Sequence, residues 1–581
     1  MTETALPQPL LAARSSSGVC VFSGPPNNTL EPLLKLDDSK SCRCLKFSPH
    51  GDYLAWANGA KVIVVKTKDW SNVVSLDLPK VMDIHFSPKG TYFSVYELYS
   101  RSGDAKDEIK NLIVYRTENG EILEAFEQRK QENWQPQWTA DEMYCSRNVK
   151  NDVFFWKSEL LTGPPEKKLQ NQRIVNYSLS PSAPQYHLLC YVPGKSGQPS
   201  VCKIFQFPNF DNPLAHKTFF QADRVEMFWN KKGTVALFLT TVDIDKTGSS
   251  YYGKQGLHLI DIKGNQMNVS LAKEGPIHAV EWSPLANEFC VIYGAMPPKT
   301  TLFNTKAEPV FDIPCSPINS IYYNPQGNIV LLGGFGNLQG AVDLWEAPAK
   351  KLINKTKAAD TTLVSWSPDG TYFMTATTAP RLRVCNGYKI WHYTGSLVHE
   401  KSWNEGEELW EVVWQNFPPG TFKKPQVCYE QVKGIASQSP EASKQAYRPP
   451  GARGKPSSFK LNTEIVDVKP GTVVTQKGQV QMSKNAIKLK KNREAKKAAK
   501  AVDGFISQSD VQKLNDYADS LKEYTSTDPE KEKAIKKLRV KLIEIEKLKE
   551  QQKAGKQLEK NQLEKMKNED TLLKQMKSLA M

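Results

Sequence analysis

Apolar and polar residues alternate in short runs along the first three quarters of the chain, and the runs recur. Phe47 opens FSPHGDYLAWANGAKVIVV, Phe86 opens FSPKGTYFSVY and Trp366 opens WSPDGTYFMTAT. Looser copies open at Trp138 (WTADEMYCS), Leu179 (LSPSAPQYHLLCY), Trp229 (WNKKGTVALFLT), Trp282 (WSPLANEFCVIY) and Tyr323 (YNPQGNIVLLG), with a degenerate last copy at Trp414 (WQNFPPGTF). Successive copies start 39 to 53 residues apart. In each, a large apolar residue ends one strand. Pro presets φ for a tight turn and Gly takes φ > 0 without steric cost. A β-rich run such as Tyr53–Trp56 or Tyr372–Thr377 then starts the next strand. A four-stranded blade takes about 40–45 residues, which matches the period. The pattern therefore predicts an all-β fold, a WD40-like β-propeller of nine blades over residues 1–425, whose ring leaves only short, protected edges. Two smaller β-domains are the alternative, and the even spacing argues against them. The early strand Val19–Phe22 precedes the first copy and is expected to join the last blade and latch the ring.

The pattern changes after about Phe422. The last tryptophan is Trp414 and the last cysteine is Cys428. Residues 426–483 are rich in Ser, Gly, Pro, Gln and Lys and contain YRPPGARGKP, too little apolar surface to offset the entropy of ordering; a flexible linker is expected. Residues 484–527 read as a basic, partly helical segment that orders on binding, with a short amphipathic turn or two over Val511–Tyr524. Residues 528–581 carry a helix start, with Asp528 as cap, Pro529 at the first position and Glu530 and Glu532 in the first turn. Ile535, Leu538, Leu542, Ile545 and Leu548 then form one apolar stripe, Gly555 interrupts, and Leu572, Met576 and Leu579 form another. Two helices folded back on each other and one long coiled-coil helix both fit.

Charge sharpens this division. Of the formal net charge of +15, residues 430–581 hold +13 (33 Lys+Arg against 20 Asp+Glu) and the first 429 residues only +2. A near-neutral scaffold thus carries a basic tail, which points to a phosphate-bearing partner. The ten cysteines are irregularly spaced, without a CxxC pair, and read as buried apolar residues of a reduced, cytoplasmic protein. No apolar run approaches the ~18 residues of a membrane span. The first residues, MTETALPQPLLAARSSS, lack the form of a signal peptide.

Several catalytic and cofactor motifs are incomplete. Gly194-Lys195-Ser196 resembles the end of a P-loop, but Leu189 stands where the first Gly belongs. Gly334-Phe-Gly336-Asn-Leu-Gln-Gly340 has one residue too many for a dinucleotide fingerprint and reads as a hairpin turn. His392 and His399 have no further ligand at metal spacing, and Cys385 with His392 lacks an orienting third group. A buried thiol is the expectation for Cys385. No cofactor, metal or catalytic constellation is expected.

Two stretches suit nucleic-acid binding. In KNAIKLKKNREAKKAAK, the residues Lys484, Lys488, Lys490, Lys491, Arg493, Lys496, Lys497 and Lys500 face a single acid, Glu494. Phosphate neutralisation by such a cluster gives salt-sensitive, sequence-blind affinity. A solvated or nuclear-localising run is the alternative, and confinement of the charge to a tail favours RNA. In PRLRVCNGYKIWHY, Arg381, Arg383 and Lys389 interleave with Tyr388, Trp391, His392 and Tyr393. Alternation on a strand places these either on an RNA- or protein-binding edge or, equally, puts Trp391 and Tyr393 in the blade core with the cations solvated.

The chain resembles the eukaryotic translation initiation factor 2A family. The resemblance is carried by APRLRVCNGYKIWHYTGSLVH (Ala379–His399), DIDKTGSSYYGKQGLHLI (Asp243–Ile260), GGFGNL (Gly333–Leu338) and WNKK (Trp229–Lys232). In the tail it is carried by AYRPP, REAKKAAK and GKQLEKNQLEKM. It implies a non-enzymatic, nine-bladed propeller that binds the small ribosomal subunit, with a C-terminal region that engages initiator methionyl-tRNA and mRNA. It further implies codon-dependent, GTP-independent delivery of that tRNA on a subset of mRNAs, with the final helices open to other initiation factors and no membrane partner. The competing readings are a propeller subunit of an initiation factor 3-like complex, which would carry an RNA-recognition domain before the ring, and a generic WD-repeat scaffold with no RNA role.

Overall fold

In the computed structural model, the large apolar residue that opens each repeat ends the first strand of a four-stranded antiparallel sheet. Phe47, Phe86, Trp138, Leu179, Trp229, Trp282, Tyr323, Trp366 and Trp414 are the last residues of nine such strands. The structure describes residues 6–99 and 110–438, apart from 171, 183, 195–197, 221 and 243–252; beyond these it describes 472–474, 480–482, 517, 520–521, 524, 529–553 and 560–580.

The turn after each of these residues is built by side-chain chemistry that the repeat preserves. The next residue is Ser, Thr or Asn in eight of the nine copies and is buried in all eight: Ser48, Ser87, Thr139, Ser180, Asn230, Ser283, Asn324 and Ser367. In seven of the eight its side-chain oxygen accepts the first N–H of the following strand; Ser283 Oγ takes the Leu285 N–H within the turn instead. Tyr53 donates to Ser48 Oγ at 3.0 Å, Tyr144 to Thr139 Oγ1 at 3.1 Å, Ile329 to Asn324 Oδ1 at 3.0 Å and Tyr372 to Ser367 Oγ at 3.0 Å. Any short acceptor serves, which explains the interchange of Ser, Thr and Asn. Three residues further on, Gly51, Gly90, Gly233, Gly327 and Gly370 take the left-handed conformation. Glu142 and Ala286 hold it where the glycine is missing.

Blades 2 to 9 follow in order: Cys44–Leu76, Val81–Phe126, Gln137–Leu169, Asn176–Phe219, Arg224–Asn268, Ile277–Ile313, Ser320–Lys357 and Leu363–Ser402. Within each, the chain meanders from a first strand at the axis outwards, and first strands of neighbouring blades touch around the ring. Blade 1 is shared between the ends of the ring. Its first strand is Leu409–Trp414, and Leu10–Ser15, Gly18–Ser23 and Leu34–Asp37 supply the rest. Leu11 lies opposite Trp414 and Ala12 opposite Val413. The strand expected at Val19–Phe22 joins this sheet, but the pairing that closes the ring is made by Leu10–Ser15, from which the ninth copy at Trp414 borrows its following strand.

The core is distributed rather than central. Each of the nine seams between blades holds its own buried cluster, such as Leu237, Leu259, Phe289 and Phe303 between blades 6 and 7. Tryptophans pin some seams further. The indole of Trp282 donates to Phe228 O at 2.9 Å and that of Trp366 to Tyr322 O at 3.0 Å, each reaching the penultimate residue of the preceding blade's first strand.

Contacts divide the chain into two compact units, Met1–Ser443 and Lys444–Met581. In the second, helix Pro529–Lys553 packs on helix Glu569–Ala580. Ile535, Leu542, Leu521 and Met576 are buried there, and Leu538, Leu572 and Leu579 pack against them. Lys549 bridges to Glu569 at 2.6 Å across the pair. The helix begins at the proline that the sequence placed first.

The structure departs from the sequence reading at the start of the linker. Residues 426–438 are laid against blades 8 and 9 rather than free, because their backbone groups find ring partners. A second departure concerns cysteine: Cys385 and Cys428 are exposed, while Cys42, Cys44, Cys145, Cys190, Cys202 and Cys290 are buried.

Candidate nucleic-acid interface

An antiparallel meander puts the connection between second and third strands of every blade on one face of the ring, and the repeat turns on the other. Arg381 and Arg383 lie in the former connection of blade 9, between strands Tyr372–Thr377 and Gly387–His392. Both are exposed, together with Val384 and Cys385. The Arg383 guanidinium stands 3.4 Å from Glu408 Oε1. Arg381 reaches over to the equivalent connection of blade 8. A Cβ built on Gly336 would lie 2.5 Å from its Nη2, and Gly336 itself holds φ +73°. The two stretches Gly333–Leu338 and Ala379–His399, far apart in sequence, thus meet at one corner of this face.

The rest of the interleaved cluster is structural. Tyr388, Trp391 and Tyr393 are blade core, and Trp391 donates to Thr375 Oγ1 at 2.9 Å. Lys389 pairs with Glu400 at 3.3 Å and donates to Ser437 Oγ at 2.8 Å. His392 bonds Thr394 at 2.8 Å, while His399 is buried; burial lowers the pKa of both imidazoles. Of the sequence candidates in this stretch, Arg381 and Arg383 alone present exposed cations.

The strap 425–438 is the feature that sequence reasoning missed. Asn328 Nδ2 donates to Pro425 O at 2.9 Å. The Tyr393 hydroxyl donates to Gln426 O at 2.9 Å and accepts the Cys428 N–H at 2.9 Å. Tyr429 lies under the Lys351 ammonium, 3.7 Å from the ring centre, with its hydroxyl on Glu346. Ser396 Oγ then donates to Val432 O at 2.6 Å, and the Ile435 N–H to Leu397 O at 2.7 Å. Finally Gln438 N–H donates to Glu400 Oε2 at 2.8 Å. The strap therefore starts at the turn face and follows the outer strand Leu397–Ser402 in the same direction as far as Glu400.

Lys484, Lys488, Lys490, Lys491, Arg493, Lys496, Lys497 and Lys500 lie outside the described residues. The other motifs are placed. Gly194 belongs to the connection between two antiparallel strands, His187–Val192 and Ser200–Gln206, so no helix N-terminus is offered to a phosphate there. Gly334 and Gly340 close a turn by a 2.8 Å backbone hydrogen bond. Among the described residues, no group of three His, Cys, Asp or Glu is placed to hold a metal ion, and no helix is long and apolar enough to cross a membrane.

A nine-bladed ring closed by a shared terminal sheet, with exposed arginines on one face and residues 425–438 laid along its last two blades, defines a WD-like β-propeller protein. Comparison with known proteins makes the assignment specific. The family described as "Eukaryotic translation initiation factor eIF2A" matches residues 217–412. Eukaryotic translation initiation factor 2A of Drosophila melanogaster is 37% identical over 629 aligned positions, covering 98% of each chain. Its Schizosaccharomyces pombe counterpart is 32% identical with the same 98% coverage. A solved structure described as "Crystal structure of the eukaryotic initiation factor" superposes with a TM-score of 0.65 at 33% identity, over 71% of this chain and 100% of that one. The chain belongs to the eukaryotic translation initiation factor 2A family.

Proposed function

We propose that this protein binds the small (40S) ribosomal subunit and directs initiator methionyl-tRNA to it, in a codon-dependent and GTP-independent manner, on a subset of mRNAs in the cytoplasm. Membership in an initiation-factor family supports the setting. The observation that carries the reading is the segregation of charge: the basic cluster Lys484–Lys500 belongs to a tail tied to a near-neutral ring by the strap 425–438. A rigid ring docks by shape, and the tail supplies phosphate contacts to tRNA and mRNA. The step needs positioning and not bond making.

The test is retention of initiator tRNA on purified small subunits by the full chain and by a variant with the eight basic residues of Lys484–Lys500 changed to glutamine. The full chain is expected to retain the tRNA without GTP, and the variant to lose most of it while still cosedimenting with the subunit. Equal retention by both would remove the tail from the mechanism. Absence of subunit binding by the unmodified chain would overturn the reading altogether.

A further inference from the structure

The turn face of the ring carries a groove of about 850 Å3 between blades 6 and 7. Three lysines line it, Lys232, Lys263 and Lys306, all exposed. Each stands two residues after an Asn or Asp that fixes its turn. Asn230 Oδ1 accepts the N–H groups of Thr234 and Val235 at 2.9 and 3.2 Å. Asp261 Oδ1 accepts those of Lys263 and Asn265 at 3.0 and 2.8 Å. Asn304 Oδ1 accepts those of Lys306 and Glu308 at 2.8 and 3.0 Å. The lysine stems therefore project from rigid backbones into one groove.

The groove's two carboxylates are held by neutral donors and keep their charge, so three lysines against two acids leave the lining net positive. Asp261 also takes the Asn265 side-chain amide at 2.8 Å, and Glu308 takes that of Asn304 at 2.7 Å. Among the described residues, none of the three lysines has a carboxylate within ion-pair distance. Three unpaired ammonium groups on fixed turns make a site for several phosphates at once.

We propose that this groove binds the sugar–phosphate backbone of a double-helical RNA segment, and that it is the surface by which the ring docks on ribosomal RNA. The lining decides among polyanions. Gln266, Asn287 and Thr305 add neutral hydrogen-bonding groups suited to phosphate oxygens and sugar hydroxyls. No aromatic ring lines the groove, so it has no stacking platform for unpaired bases. Its apolar lining, Val235, Ile262, Met267 and Ala286, is half-buried or buried and gives an acidic peptide little to anchor on. Helical RNA is read through phosphate and 2′-hydroxyl contacts, which these groups supply.

The ribosomal part rests on the proposed initiation reading; the RNA part does not, and the experiment separates them. Full-length protein with the eight basic residues of Lys484–Lys500 changed to glutamine serves as background, so that the ring is read alone. Into it go K232E/K263E/K306E, the conservative K232R/K263R/K306R, and a control reversal of the exposed Lys80, Lys130 and Lys150. Each is titrated with a fully paired RNA hairpin, a single-stranded oligoribonucleotide, a polyglutamate peptide and purified small subunits across a salt series. The groove reversal is expected to weaken hairpin and subunit binding at least tenfold and to lower the salt slope by about 2 to 3, at roughly 0.9 per phosphate neutralised. The arginine variant and the control reversal keep wild-type binding. Hairpin and subunit binding unchanged by the groove reversal would overturn the proposal, as would preference for polyglutamate or for the single strand. Loss of hairpin binding alone, with no variant binding subunits, would sustain the groove as an RNA site and sink the ribosomal role.

Discussion

The hydroxyl of Tyr393 closes on Gln426, donating to its carbonyl oxygen at 2.9 Å, and accepts the Cys428 N–H at the same distance. Tyr393 ends the third strand region of blade 9 and is buried, so a core side chain of the last blade holds the chain that leaves the ring. The strap takes its position from the blade, with Val427 packed against the same seam.

Tyr393→Phe removes that hydroxyl and leaves two backbone groups without a partner, at a cost of about 1–3 kcal/mol. The loss should be local. Amide exchange and proteolytic nicking over residues 426–438 are expected to rise, while the melting temperature of the ring moves by only a few degrees.

The cap of each repeat turn gives a second test. Ser367 is fully buried, and its Oγ accepts the Tyr372 N–H. Ser367→Ala should cost about 1–3 kcal/mol in chemical denaturation. Ser367→Asn should cost less, because Asn230 and Asn324 perform the same task in blades 6 and 8. An alanine variant as stable as the parent would mean that the repeat residue is kept for some other reason.

Closure of the ring can be probed at Trp414, which is buried where the first and last strands of the ring meet. Trp414→Ala removes a large buried side chain, at a cost of about 3–5 kcal/mol. Since the seam joins both ends of the ring, unfolding monitored at blade 5 should shift together with unfolding monitored at blade 1.

Acid should destabilise the ring. Burial holds five of the eight imidazoles below their ordinary value: His85, brought down to about 4, and His187, His258, His392 and His399. A depressed imidazole is neutral in the folded chain, and its unfolded counterpart takes up a proton first as pH falls. Its contribution is therefore complete above about pH 6.5 and is lost as pH falls towards 4. For His85 the loss is on the order of 3 kcal/mol, at about 1.4 kcal/mol per unit. Asp83, Glu281 and Glu288, raised by burial, act in the opposite sense and offset part of the loss at the acid end. Melting temperature should be flat from pH 7 to 8 and decline below about pH 6.5, and His85→Gln should make the decline shallower.

The sequence by itself determined the eight repeat turns that follow Phe47 to Trp366. Each depends on a local grammar of a large apolar residue and a short acceptor, in most copies with a glycine three residues further on, and each copy states that grammar whether or not its neighbours are present. It also determined the helix start at Pro529 and the apolar stripe from Ile535 to Leu548, which follow from spacing along one element. Only the tertiary structure decided the rest. Three N-terminal strands complete the blade that Leu409–Trp414 begins, because closure satisfies an edge whose partner lies almost the whole ring away in sequence. The strap 425–438 reads as linker because its partners, Tyr393, Ser396 and Glu400, belong to a blade already folded. Trp391 and Tyr393 look alike to Arg381 and Arg383 in a string of alternating residues, yet strand direction sends the aromatics into the seam and leaves the arginines in a surface connection. Lys232, Lys263 and Lys306 sit in three separate turns with no mutual signal beyond the Asn or Asp two residues before each. The ring brings them to one groove because antiparallel meanders stack equivalent turns on the same face.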